Sequence, residues 1–74
     1  MTDSLALLAA EIRKRRTALG WSQEELAERC NFDRTYISML ERGRRNPSLR
    51  NLEKLARGLS TSVASLTSSL DRRV

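Results

Sequence analysis

The chain has 74 residues, with 14 lysines and arginines against 9 acids, a formal net charge of +5 and a sequence pI of about 10.7. That length supports one domain around one core. With no histidine and a single cysteine, Cys30, neither an internal disulfide nor a zinc cluster is available, and no cofactor is expected.

Helix 1 is expected from about Ser4 to Leu19. Its stripe Leu5, Leu8, Ala9, Ile12, Arg16, Leu19 keeps i, i+3, i+4 spacing. Gly20 stands where a left-handed residue ends a helix, which lets Trp21 fold back onto the last turn. Helix 2 opens at Ser22, where Ser22 and Glu25 form a capping box and Trp21 and Leu26 hold the staple positions. Leu26, Ala27 and Cys30 face inward, and Cys30 reads as a small buried hydrophobe. Asn31 ends the helix, since asparagine tolerates a left-handed turn.

Helix 3 begins at the N-cap Asp33, with Phe32 and Ile37 as a second staple. Ile37 and Leu40 point to the core, and Gly43 is the stop. The joint Asn31-Phe32-Asp33 is too short for an antiparallel hairpin but suits two steeply crossing helices, a helix-turn-helix over about residues 22–43. Helix 4 starts at Ser48 behind Asn46-Pro47, with Leu49, Leu52, Leu55, Ala56 and Leu59 on one face and Gly58 weakening its last turn. Helix 5 starts near Ser62 and carries Val63, Leu66 and Leu70, while residues 71–74 fray. The expected fold is all-α, five helices in one domain.

A small basic domain usually meets a polyanion, but ribosomal and membrane-surface proteins share that charge, so the arrangement of the charges decides. No apolar run approaches the ~20 residues that span a membrane. MTDSLALLAA has no cationic leader before its short apolar stretch, which argues against a secretory signal. The cytoplasm is the expected compartment.

The segment SQEELAERCNFDRTYISMLERGRRNPSLRNLEKLA resembles the phage repressor and Cro type of helix-turn-helix, the lambda-repressor-like fold, over about Glu11 to Leu66. The matching positions are Ser22-Gln23, Leu26-Ala27, Ile37, Leu40-Glu41, Gly43 and Asn46-Pro47-Ser48. The string NFDRTYISMLERGRRN is similar to the controller proteins of restriction–modification systems. That resemblance implies a bacterial homodimer on palindromic double-stranded DNA operators upstream of its own gene and the endonuclease gene, activating first and repressing later. The family often has glycine where this chain has Asn31 and Ser60.

On this placement helix 3 lies in the major groove and turns Arg34, Thr35 and Tyr36, then Ser38 and Met39, toward the bases. Arg34 is suited to a two-armed bond with guanine. Tyr36 has two readings, a hydroxyl reaching a base or phosphate and a ring packed on the neighbouring turn. Gln23 opens helix 2 against the phosphate backbone. Arg42, Arg44, Asn46 and Arg50 are further phosphate contacts, and the resemblance implies that Arg45 also touches a base. It also implies a mostly buried ion pair between Arg16 and Glu41. Arg13, Lys14 and Arg15 are left as solvated charges or distant phosphate contacts. Leu59, Val63, Leu66 and Leu70 are candidates for the dimer seam, with closure of the protomer core as the alternative for Val63 and Leu66. Glu24 and Glu28 form one acidic spot at i, i+4, the position where related activators touch the sigma subunit of RNA polymerase.

An enzyme is excluded by the lack of histidine, of a pocket with paired carboxylates and of a glycine-rich phosphate loop. No small-molecule ligand is expected. RNA recognition needs stacking aromatics, and two of the three here, Trp21 and Phe32, sit at staple positions. A phage-type or antitoxin-type repressor on the same fold remains the alternative.

Overall fold

The computed structural model describes residues 3–71; Asp71, expected to fray, is the last residue of a helix, and the expected fraying at Arg72, Arg73 and Val74 lies outside the described residues. Six helices follow one another: α1 Ser4–Ala18, α2 Gln23–Cys30, α3 Arg34–Glu41, α4 Leu49–Gly58, α5 Val63–Leu66 and α6 Ser68–Asp71. Among the described residues all regular structure is helical. α1 packs against α3, α5 and α6, while α2 packs against α3 and α4. The side chains of Ile12, Leu26, Ile37, Leu40, Leu55 and Leu66 are fully buried where these helices meet.

The helix starts follow the capping residues. Asp3 accepts from the Leu5 amide at 3.3 Å. Ser22 Oγ accepts from the Glu25 amide, and Glu25 accepts from the Ser22 amide, both at 3.0 Å. Ser48 and Ser62 cap α4 and α5 through the amides of Asn51 and Ser65. Asp33 occupies the N-cap of α3 with extended backbone, but its side chain makes no capping bond. The first turn there is closed by the Asp33 carbonyl, which accepts from the Tyr36 and Ile37 amides. Phe32, just before it, packs on the core.

The turns depend on left-handed residues. Gly20 and Gly43 have φ of 75° and 70°, Asn31 has φ of 61° and Ser60 has φ of 57°. For a residue with a Cβ that conformation costs about 1–2 kcal/mol. Gly58 is required for a different reason: a Cβ there would collide with Cys30 Sγ. The glycine inside α4 therefore lets α2 and α4 approach closely. Burial pushes the Cys30 thiol up to about 11, with Lys54 pulling weakly the other way, so at neutral pH it stays an unreactive thiol.

Three expectations are corrected. Leu19 and Leu49 keep the apolar spacing but are 45% and 67% exposed. Each lies at a helix end, past the reach of the element opposite. The single terminal helix is two short ones broken at Thr67, whose hydroxyl and amide both bond to the Val63 carbonyl. Ser68 Oγ likewise bonds to the Ser65 carbonyl. Hydroxyls that bond backbone carbonyls in this way weaken and bend a helix slightly.

One buried ion pair organises the centre. Glu41 is 4% exposed and receives Arg16 through two bonds, Nε to Oε2 at 2.6 Å and Nη2 to Oε1 at 2.9 Å. The third guanidinium nitrogen, Arg16 Nη1, donates to the Trp21 carbonyl at 2.8 Å. The bond to Glu41 raises the Arg16 pKa above its ordinary value. Arg13 and Arg15 are also structural. Arg13 Nη1 donates to the Glu41 carbonyl at 2.9 Å, and Arg15 bridges Glu11 and Thr61 Oγ1.

Two outcomes check this description by thermal and urea unfolding. Ser60→Gly is expected to stabilise by about 0.5–1 kcal/mol, because relief of left-handed strain outweighs the extra chain entropy of glycine; a lowered Tm would contradict the turn. Glu41→Ala strands Arg16 and is expected to cost about 3–5 kcal/mol. A cost below about 1 kcal/mol, the range of exposed pairs, would show the pair to be solvated.

Candidate nucleic-acid interface

The eight residues of α3 divide cleanly between two sides. Ile37, Leu40 and Glu41 are buried, Arg34 and Thr35 are exposed, and Tyr36, Ser38 and Met39 are half-buried. The burial follows from the i, i+3, i+4 positions that α1 and α2 cover. The remaining side chains project from a helix short enough to enter a groove roughly 12 Å wide.

The loop after α3 and the start of α4 are tied to this helix. The Arg44 amide donates to the Met39 carbonyl at 2.9 Å. Arg42 Nη2 donates to Ser38 Oγ at 3.2 Å. The Arg45 guanidinium lies 5.0 Å from the centre of the Tyr36 ring. Asn51, on α4, donates its side-chain amide to the Tyr36 hydroxyl at 2.9 Å. The Tyr36 ring also packs on Phe32, with centroids 4.8 Å apart and planes at 49°. Arg42, Arg44, Arg45, Asn46 and Arg50 are exposed.

The electrostatics favour an anion. Among the described residues the ion pairs are Arg15 with Glu11 and Arg16 with Glu41. Arg34, Arg42, Arg44, Arg45 and Arg50 have no carboxylate partner there. Glu41, the acid at the end of α3, is enclosed and already paired. Such a surface suits a partner with closely spaced negative charges, as the phosphates of a duplex are.

Several sequence-derived roles change. Gln23 stands at the first position of α2, but its amide nitrogen donates to Glu41 Oε1 at 3.2 Å. A buried carboxylate with spare lone pairs draws the amide end inward, while the residue as a whole is half-buried. The Tyr36 ring is packed on Phe32, as one of its two readings had it, and its hydroxyl accepts from Asn51. Leu59 and Leu66 are 4% and 0% exposed inside the protomer core. They have no surface left for a partner and are withdrawn from the dimer seam. Val63 packs partly on the core, and Leu70 is half-buried. Glu24 and Glu28 are exposed on α2. Asn51 was not anticipated, because an asparagine in a helix gives no signal of a partner 15 residues away.

One open concavity, of about 420 Å³, borders this surface and is lined by Ala6, Ala9, Arg13, Glu41, Arg42 and Arg44; others lie away from it. One of about 370 Å³ is lined by Arg29, Cys30, Asn31, Lys54, Arg57 and Gly58. Two of its cations have local partners: Arg29 stacks on Trp21 and Lys54 bonds to the Asn31 carbonyl. No group of histidine, cysteine or acids among the described residues could hold a metal ion. No described helix is long and apolar enough to cross a membrane.

Residues 12–66 match the Helix-turn-helix family. A Neisseria meningitidis protein described as a hypothetical transcription factor is 48% identical over 64 residues, covering 86% of this chain and 60% of that protein. The chain thus spans less than two thirds of that relative. Control protein C.MunI from a Mycoplasma species is 44% identical over 62 residues, covering 84% of this chain and 81% of that one. The restriction–modification controller protein C.Esp1396I, solved as a tetramer with its natural 35 base-pair operator, superposes with a TM-score of 0.83 at 36% identity, covering 97% of this chain and 95% of that one. The two-sided α3, the cations around it and these matches place the chain in the Helix-turn-helix family of DNA-binding transcriptional regulators, among the controller proteins of restriction–modification systems.

Proposed function

We propose that the chain acts as a homodimer on a palindromic operator, each protomer laying α3 in the major groove. The observation that carries this reading is the outer face of α3, which exposes Arg34 and Thr35, has no carboxylate partner among the described residues and is tied to the arginine-rich loop beside it. Arg34 and Thr35, at the start of the helix, read base edges. Ser38, Met39 and Arg45 flank them. Arg42, Arg44, Asn46, Arg50 and the leading amides of α2 hold phosphates. A two-fold dimer sets half-sites about one turn, ~34 Å, apart. The seam is formed by α5 and α6 through Val63 and Leu70.

The regulated genes are its own and that of the endonuclease, activated first and repressed later. Support comes from the likeness to control proteins over more than four fifths of the chain. Activation requires a polymerase surface, and Glu24 with Glu28 supplies an exposed acidic pair on the outer side of α2, suited to the sigma subunit. The cytoplasm is the corresponding compartment.

Selection of duplexes from a randomised pool, followed by fluorescence anisotropy across a salt series, tests the reading. Arg34→Ala is expected to weaken binding to the selected duplex by about 1–3 kcal/mol and relax preference at one base pair. Arg44→Ala is expected to weaken all duplexes alike and reduce the slope of log affinity against log salt by about 1. An Arg34→Ala loss that is equal on random DNA would demote that residue to a phosphate contact. In a promoter reporter, Glu24→Ala with Glu28→Ala is expected to abolish activation while operator affinity holds; persistent activation would refute the sigma contact.

A further inference from the structure

We propose that Asn51 is a positioning residue for DNA reading, fixing the Tyr36 hydroxyl from α4 so that its proton is free for an acceptor on the duplex. The inference rests on the placement of α3 in the groove. Asn51 uses its backbone amide to complete the α4 cap on Ser48 Oγ at 3.1 Å. Its side chain is thereby spared for α3, and its amide donates to Tyr36 Oη at 2.9 Å.

A phenol has one proton and two acceptor lone pairs. The amide of Asn51 occupies a lone pair, so the Tyr36 proton is left to donate. The hydroxyl is therefore set to meet an acceptor with its proton, while its second lone pair stays open. The complementary groups are phosphate oxygens and the acceptors of the major-groove edge, such as guanine O6 and N7 or thymine O4. The ring is held as well. Phe32 packs on it at 4.8 Å, and Arg45 lies over it at 5.0 Å. Tyr36 without Asn51 keeps its ring contacts and loses the bond that orients its oxygen. Arg45, resting on the same ring, inherits that orientation.

The test is a double-mutant cycle with a separate readout on the free protein. Wild type, Asn51→Ala, Tyr36→Phe and the double variant are titrated against the duplex that the wild type selects from a randomised pool and against a random duplex of equal length. Asn51→Leu repeats the cycle with a side chain of similar size that cannot donate, in case the alanine variant unfolds. The chain has one tyrosine and one phenylalanine, so the Tyr36 ring signals are readily assigned by NMR in each free variant.

Asn51→Ala is expected to shift the Tyr36 ring signals and to weaken the selected duplex about 2- to 10-fold, the range of one hydrogen bond. In the Tyr36→Phe background the same change is expected to have no further effect. A loss confined to the selected duplex places the acceptor on a base edge, and an equal loss on both places it on a phosphate; either supports the proposal. Additive losses would overturn it, as would Tyr36 signals that do not move. If the signals move but Tyr36→Phe binds both duplexes like wild type, the proposal falls because the DNA contact of Tyr36 is wrong, while the Asn51 bond stands.

Discussion

The Arg16–Glu41 pair is the constraint from which the rest of the fold takes its geometry. A buried carboxylate is costly unless its lone pairs are filled. Glu41 receives three donors, two from Arg16 and one from Gln23. Arg16 meanwhile ties down the Trp21 carbonyl in the turn before α2, and Arg13 binds the carbonyl of Glu41 itself. The last residue of α3 is thus locked to α1 and to the start of α2. Apolar packing alone tolerates sliding of one helix over another. A planar guanidinium fork on a carboxylate does not, because its bonds have direction.

Fixing the end of α3 fixes what its other side presents. Ile37 and Leu40 fill the core, and Arg34 and Thr35 are left outward. Among the described residues the ion pairs involve Arg15 and Arg16, so the arginines around α3 keep their charge for an outside partner. The Arg16–Glu41 pair therefore serves orientation and field. Helix α4 contributes to this surface as well as to the core. Leu55 and Ala56 are buried on one side, while Asn51 reaches Tyr36 near its start.

Features with a local cause were legible in the chain itself. The capping box of Ser22 and Glu25, the left-handed Asn31 and the opposed sides of α3 all follow from spacing within a few residues. The Arg16–Glu41 pair was reachable only through family resemblance, since 25 residues separate its partners. Apolar period misled at helix ends. Leu19 and Leu49 continue the pattern where nothing remains to cover them, Leu59 was set aside for a partner when the small core needed it, and Leu66 took the core alternative left open for it. Side chains that pair across the fold had no local signature: Gln23 with Glu41, Arg15 with Thr61 and Asn51 with Tyr36. Gly58 read as a weak point in a helix, whereas the close passage of Cys30 requires it.

The placement of α3 in the major groove is tested most directly by a crystal structure of the dimer on its selected duplex. The expected result is α3 along the major groove floor, with the Arg34 guanidinium about 3 Å from base-edge acceptors and the Arg16–Glu41 fork intact. A complex in which α3 faces solvent, with the duplex seated on another surface, would contradict it.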